Sequence, residues 1–176
     1  ETNSFLVKKQ IDSKITLIEY VTFYGSIQIL KYIILNGVEL TTDLWIYAIH
    51  SNNAEIIHFL EENQVEPKNE RKQNIEENPF EKCLEESIKC HHNDISNYFF
   101  DNYFQNNHIK SNTALIQSLK SYNFSFIQSE LLNENFFYLC KYNYYSLVKF
   151  LLIENINQSS SYKNFLIFRE MYQYLT

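Results

Sequence analysis

Glycine and proline are almost missing from this chain, two of each in 176 residues. Sheet proteins need many tight turns, and glycine supplies the positive φ that those turns require. Scarcity of both residues therefore points away from sheets and towards helices joined by short loops. No glycine-rich phosphate loop is possible with two glycines. No apolar run nears the roughly 18 residues of a membrane span, and no signal peptide is visible. The three cysteines, Cys83, Cys90 and Cys140, form no CxxC and are odd in number. Thiols without a disulfide framework fit a reducing, cytoplasmic compartment. The first residue is Glu1, not Met, which is read as a processed chain or a piece of a longer one.

Basic patches are missing as well, which argues against nucleic acid as a partner. Net charge is −6, and it is unevenly spread. Residues 61–86 hold nine acids and four bases, so −5 of the −6 lies in that stretch. The plain reading is a solvated acidic loop. Within it, "EENQVEPKNERKQNIEENPFEK" (Glu61 to Lys82) carries both prolines, Pro67 and Pro79, and 66–80 reads as a polar loop between repeats.

What is abundant is apolar residue at helical spacing. The chain is 45% hydrophobic, with fourteen Tyr and fourteen Phe, enough to build a core. Ile15, Leu17, Ile18 and Val21 form one helical stripe, and Ile27, Leu30, Ile33 and Ile34 the next. Gly25 falls between the two and Gly37 just after the second, where left-handed helix caps are expected. A shift of 27 residues superimposes "VTFYGSIQILKYI" (Val21 to Ile33) on "AIHSNNAEIIHFL" (Ala48 to Leu60). Gly25 then falls on Asn52, Ile29 on Ile56, Leu30 on Ile57, Ile33 on Leu60 and Val38 on Val65. A further shift of 39 gives "SIKCHHNDISNYF" (Ser87 to Phe99), with Ile88, Ile95, Tyr98 and Phe99 in step. "LCKYNYYSLVKFL" (Leu139 to Leu151) is another copy, through Leu147, Val148 and Leu151. A weaker one, "SLKSYNFSFIQSELL" (Ser118 to Leu132), keeps Leu119, Phe126, Ile127 and Leu131. Each unit predicts a helix, a polar break at Asn or Gly, and a second helix. A single pair cannot bury its apolar faces, whereas stacked pairs share a continuous core. A compact bundle is the competing arrangement, but it needs no matched residue at each break. Phe5, Leu6, Val7 and Ile11 read as the tail of an earlier unit, and Phe165, Leu166, Phe168, Met171 and Leu175 as the opening of a later one. Neither end shows the polar face of a finished array.

These units resemble ankyrin repeats, whose pattern runs apolar–x–apolar–Ala–Ala–x–x–Gly–His–x–Glu–Ile–Val–x–x–Leu–Leu–x–x–Gly. Gly25 and Gly37 match both glycines at the family spacing. Ala48 matches a first-helix alanine, Glu55, Ile56 and Ile57 the Glu–Ile–Val, and His92, Asp94 and Ile95 the His and the start of that motif. The Thr–Pro–Leu–His start of the first helix is missing, with Thr41, Thr42 and Asp43 at best its remnant. The wording of "FYGSIQI", "LWIYAIHSNNAEIIH", "SIKCHHNDI" and "LCKYNYYSLVKFLL" is closer still to the degenerate ankyrin-like domains of unknown function abundant in trichomonad parasites. The resemblance implies an all-α solenoid of about five degenerate ankyrin-like helix-turn-helix repeats, one domain over residues 1–176, as a fragment of a longer solenoid. It also implies that residues just before each break face a partner: Phe23, Tyr24, His50, Ser51, Lys89, Cys90, Lys141 and Tyr142.

Chemistry has little support. "CHHND" (Cys90 to Asp94) suggests a metal, but adjacent His91 and His92 diverge on a helix–turn and no second ligand pair lies at a suitable spacing. A Cys90 or Cys140 nucleophile needs a histidine in reach and an activating environment; both cysteines are read as packing residues. The chain is therefore expected to be no enzyme, with no catalytic residue, metal, cofactor or small-molecule substrate. The expected function is a protein–protein interaction scaffold using a concave face. The alternative is a structural subunit fixed inside a larger assembly, such as a cytoskeletal array.

Overall fold

The computed structural model describes residues 5, 6, 8, 9, 14–67, 78–104, 108–126 and 136–158. Among them every regular element is helical, as the shortage of glycine and proline predicts. None of these helices is long and apolar enough to cross a membrane. The chain divides into two compact units, Glu1–Phe126 and Ile127–Thr176. The expected helix from Phe165, with Leu166, Phe168, Met171 and Leu175, lies outside the described residues. So do Val7, Ile11, Ile127, Leu131 and residues 68–77 of the expected loop.

The first unit holds α1 (Leu17–Phe23), α2 (Ile27–Leu35), α3 (Leu44–Ser51), α4 (Ala54–Glu62), α5 (Glu81–Lys89), α6 (Asn93–Tyr103) and α7 (His108–Ser121), then a 3₁₀ turn at Phe124–Phe126. The second holds α8 (Phe136–Lys141) and α9 (Tyr145–Gln158), packed on each other. The unit from Ser118 thus opens its expected second helix as a 3₁₀ turn. In the first unit α1 packs on α3, α3 on α5 and α5 on α7, while α2, α4 and α6 each pack on the helix before them. The first helices of successive pairs form one row, with the second helices beside it.

Helices of seven to eleven residues are marginal alone and depend on caps and packing. At the start of α1, Thr16 and Glu19 form a reciprocal capping box. Asn53 caps α4 by accepting from Glu55 N at 2.9 Å. Every break lies in the left-handed region: Gly25 (φ 70), Asn52 (φ 53), His91 (φ 60), Tyr122 (φ 55) and Asn143 (φ 61). At four of the five, the residue after the break donates back five positions. Ser26 N bonds Val21 O (3.1 Å), His92 N bonds Ser87 O (3.0 Å), Asn123 N bonds Ser118 O (2.9 Å) and Tyr144 N bonds Leu139 O (2.9 Å). These bonds satisfy carbonyls that a helix end leaves open. Gly37 (φ 87) and Gln64 (φ 55) close α2 and α4 in the same way, through Val38 N to Ile33 O and Val65 N to Leu60 O.

The core runs along the row. Leu30, Leu44, Ile49, Ile56, Leu60 and Ile88 are fully buried, each worth roughly 1.5–3 kcal/mol. Trp45 is its largest member; its ring meets Phe80 edge-on at 5.2 Å and its Nε1–H donates to Val65 O at 2.7 Å. Small residues, Ala48 and Ser87, sit buried at the matched position of α3 and α5.

Candidate functional site

Polar side chains just after the breaks stitch each pair to the one before. Asn53 Nδ2 donates to Gly25 O (3.0 Å) and Asn123 Nδ2 to Ile88 O (2.9 Å). His92 Nδ1 bonds Ile49 O at 2.8 Å, and His91 Nε2 bonds Ser121 O at 3.0 Å. The two adjacent histidines thus point to opposite neighbours and work as structural links.

The residues just before the breaks meet differently. α1, α3 and α5 end side by side, so Phe23, His50 and Cys90 come from three successive pairs into one line. The Phe23 and His50 rings lie 5.9 Å apart, and the Phe5 ring stacks on His50 at 3.8 Å. His50 Nε2 lies 2.9 Å from Glu86 Oε1, and its Nδ1 lies 3.6 Å from Cys90 Sγ. The geometry fits the Nε2–H tautomer, which donates to the carboxylate and leaves Nδ1 to accept from the thiol. Lys89 Nζ holds both oxygens of Glu86, at 2.8 and 3.0 Å. Burial by itself would raise the Glu86 carboxyl; hydrogen bonds from His50 and Lys89, with the Lys89 charge, outweigh it and hold the group at about 2.

Four of the eight expected partner residues therefore share one cluster: Phe23, His50, Lys89 and Cys90. Their placements differ. Phe23 is buried beneath Phe5, so its ring fills the core side of the line and offers a partner no surface. Tyr24 is exposed and leans on Tyr20, with ring centroids 4.8 Å apart. Ser51 is turned inward, donating to Ala48 O at 2.6 Å. Lys141 and Tyr142 lie in the second unit, the ammonium 5.7 Å from the ring centroid.

Two members were not foreseen, Glu86 and Phe5. Glu86 was counted in the solvated acidic loop, yet α5 begins at Glu81 and half-buries it. Its spacing of four from Cys90, one helical turn, was the available signal. Glu61 corrects the loop reading too. It lies in the last turn of α4 and accepts from the Tyr98 hydroxyl (2.8 Å) and the Tyr103 hydroxyl (2.7 Å).

Thiol, imidazole and carboxylate stand here in the order of a nucleophile, its base and an orienting acid. The surroundings oppose that use. Burial pushes the Cys90 thiol up to about 11, and the Glu86 charge adds to the shift. Cys90 also caps the C-terminus of α5, the negative end of the helix dipole. A thiol so placed stays protonated at neutral pH and is a poor nucleophile. Comparison with known protein families, with curated proteins and with solved structures finds no match.

Proposed function

We propose that the chain is a non-catalytic protein-binding scaffold, a solenoid of degenerate ankyrin-like helix pairs with its recognition rim along the ends of the first helices. The observation that carries this reading is the line of side chains from three successive pairs, Phe23 to His50 to Cys90, which brings the ends of separate helix pairs together. The row α1–α3–α5–α7 and the left-handed break at the same register in every unit support it further. Of the expected rim residues in the first unit, Tyr24 and Lys89 are exposed. A few residues carry most of the affinity at a protein interface, and an exposed aromatic ring and an exposed cation can each act as such an anchor. In an affinity purification with quantitative mass spectrometry, Tyr24→Ala and Lys89→Ala should each deplete the proteins held by the unaltered chain about tenfold or more, as expected for an anchor worth about 1.4 kcal/mol. Glu62→Ala, exposed at the end of α4, should deplete none. Equal recovery by all three variants would overturn the rim assignment.

A second reading, a subunit fixed in a larger assembly, is favoured by one observation. Leu17, Tyr20, Ile29 and Tyr32 leave an apolar face of α1 and α2 exposed. An uncovered face of this kind marks an interaction site in many proteins.

A further inference from the structure

His50, Glu86 and Cys90 bring three different donor atoms to one place. His50 Nε2, a carboxylate oxygen of Glu86 and Cys90 Sγ all lie within 4.8 Å of one another. Nε2 is 2.9 Å from Oε1 and 3.9 Å from Sγ. In a tetrahedral zinc site, with bonds of about 2.0–2.3 Å, neighbouring donors are separated by roughly 3.2–3.7 Å. The observed separations bracket that range, so small side-chain rotations suffice. We infer that these three residues form a binding site for a divalent zinc-like cation, bridging α3 and α5.

The scaffold suits the task. Glu86 and Cys90 are one turn apart on α5 and share a face. His50 stands on α3, which packs directly on α5 through a buried core that includes Trp45, Leu84 and Ile88. Ligands carried on packed helices are held more precisely than ligands on loops. Phe5 stacks on the imidazole and Phe23 flanks it, so one side of the ring is shielded by aromatic surface.

The donor set selects the ion. A thiolate and an imidazole favour zinc over calcium or magnesium, which take oxygen ligands. Three protein ligands leave a fourth position for water or for a partner's side chain. On binding, the thiol proton passes to solvent and the imidazole carries its proton on Nδ1, freeing Nε2. Lys89 is the resident competitor, because its ammonium occupies both oxygens of Glu86. It is exposed, on a flexible stem, and an ion on Oε1 leaves Oε2 for it.

Cobalt(II) titration of the whole chain tests the site, since cobalt replaces zinc and reports a thiolate ligand by a near-ultraviolet charge-transfer band. One equivalent should give that band together with tetrahedral visible bands, and one equivalent of zinc should abolish both. Cys90→Ser should remove the charge-transfer band. His50→Gln and Glu86→Gln should each weaken binding about tenfold or more, the loss typical when a metal's ligand environment is damaged. Lys89→Gln should tighten it. The double variant Cys83→Ser/Cys140→Ser keeps Cys90 as the sole thiol and should titrate like the parent, with circular dichroism checking the fold of each variant. Absence of a thiolate band in the parent or the double variant would refute the site, as would its persistence in Cys90→Ser or unchanged affinity in folded His50→Gln.

Discussion

Each helix pair turns on one residue with positive φ. Gly25 adopts φ 70 without strain, and a Cβ there would meet nothing nearer than 3.5 Å, so backbone conformation and not space decides the residue. Asn52, at φ 53, tolerates the left-handed region better than most side chains. His91 and Tyr122 accept the strain, and His91 is compensated by its bond to Ser121 O. Asn52 is the informative position, because its cap is part of the α3–α4 pair while its side chain is exposed. Asn52→Gly should be neutral or slightly stabilising, and Asn52→Ala should cost about 1 kcal/mol. Urea melts of the two variants check this; equal midpoints would mean that the break is not under conformational selection.

Matched positions on different helices have different fates. Leu17, Leu44 and Cys83 occupy one register position, yet Leu17 is 68% exposed while Leu44 is fully buried. Ile29, Ile56 and Ile95 occupy another; Ile29 is 52% exposed and Ile56 fully buried. Tyr20 and Tyr47 repeat the contrast. In the interior pairs these positions are buried in the shared core, whereas α1 and α2 have no described pair before them. Ile56→Ala should therefore destabilise by about 2–5 kcal/mol, the cost of emptying a core site. Ile29→Ala should stay within about 0.5 kcal/mol. If the bare face docks against another chain, sedimentation of the parent should show concentration-dependent association that Ile29→Lys abolishes. A monomer at all concentrations would remove this support for a fixed structural subunit.

At the scale of the molecule, tyrosine–carboxylate contacts link two of the pairs, and the stability they supply is lost at high pH. Burial, then the hydrogen bond to Glu61, pushes the Tyr98 hydroxyl from 10.0 up to about 12. Burial and the same carboxylate raise Tyr103 as well, with Tyr98 and Cys83 adding to the shift. His58 also touches this carboxylate, at 3.1 Å. A folded value above the unfolded one means that the protonated hydroxyl stabilises the fold. That contribution is complete below pH 10, where both states are protonated, and is lost between about 10 and 12 as the unfolded chain ionises first. The double variant Tyr98→Phe/Tyr103→Phe should show a shallower loss of stability across that window in denaturant melts. An unchanged slope would show that the two hydroxyls do not sense folding.

The residues by themselves determined the helical class and the places where helices stop. The period of the apolar positions and the spacing of Gly25, Asn52 and Asn143 are local properties, set by backbone sterics and by which side chains can face one core. Ala48, Leu30, Ile57 and Leu60 were legible as core for the same reason. The structure alone decided which rim residues meet. His50 and Cys90 are 40 positions apart, and Glu86 looked like one more charge in an acidic run until α3 packed against α5. Tertiary packing also decided that Phe23 is covered and Ile29 bare, because burial depends on which neighbour is present and no periodicity records that. Short-range spacing specifies conformation, whereas a site built from different helices exists only once distant segments are brought within a few ångströms.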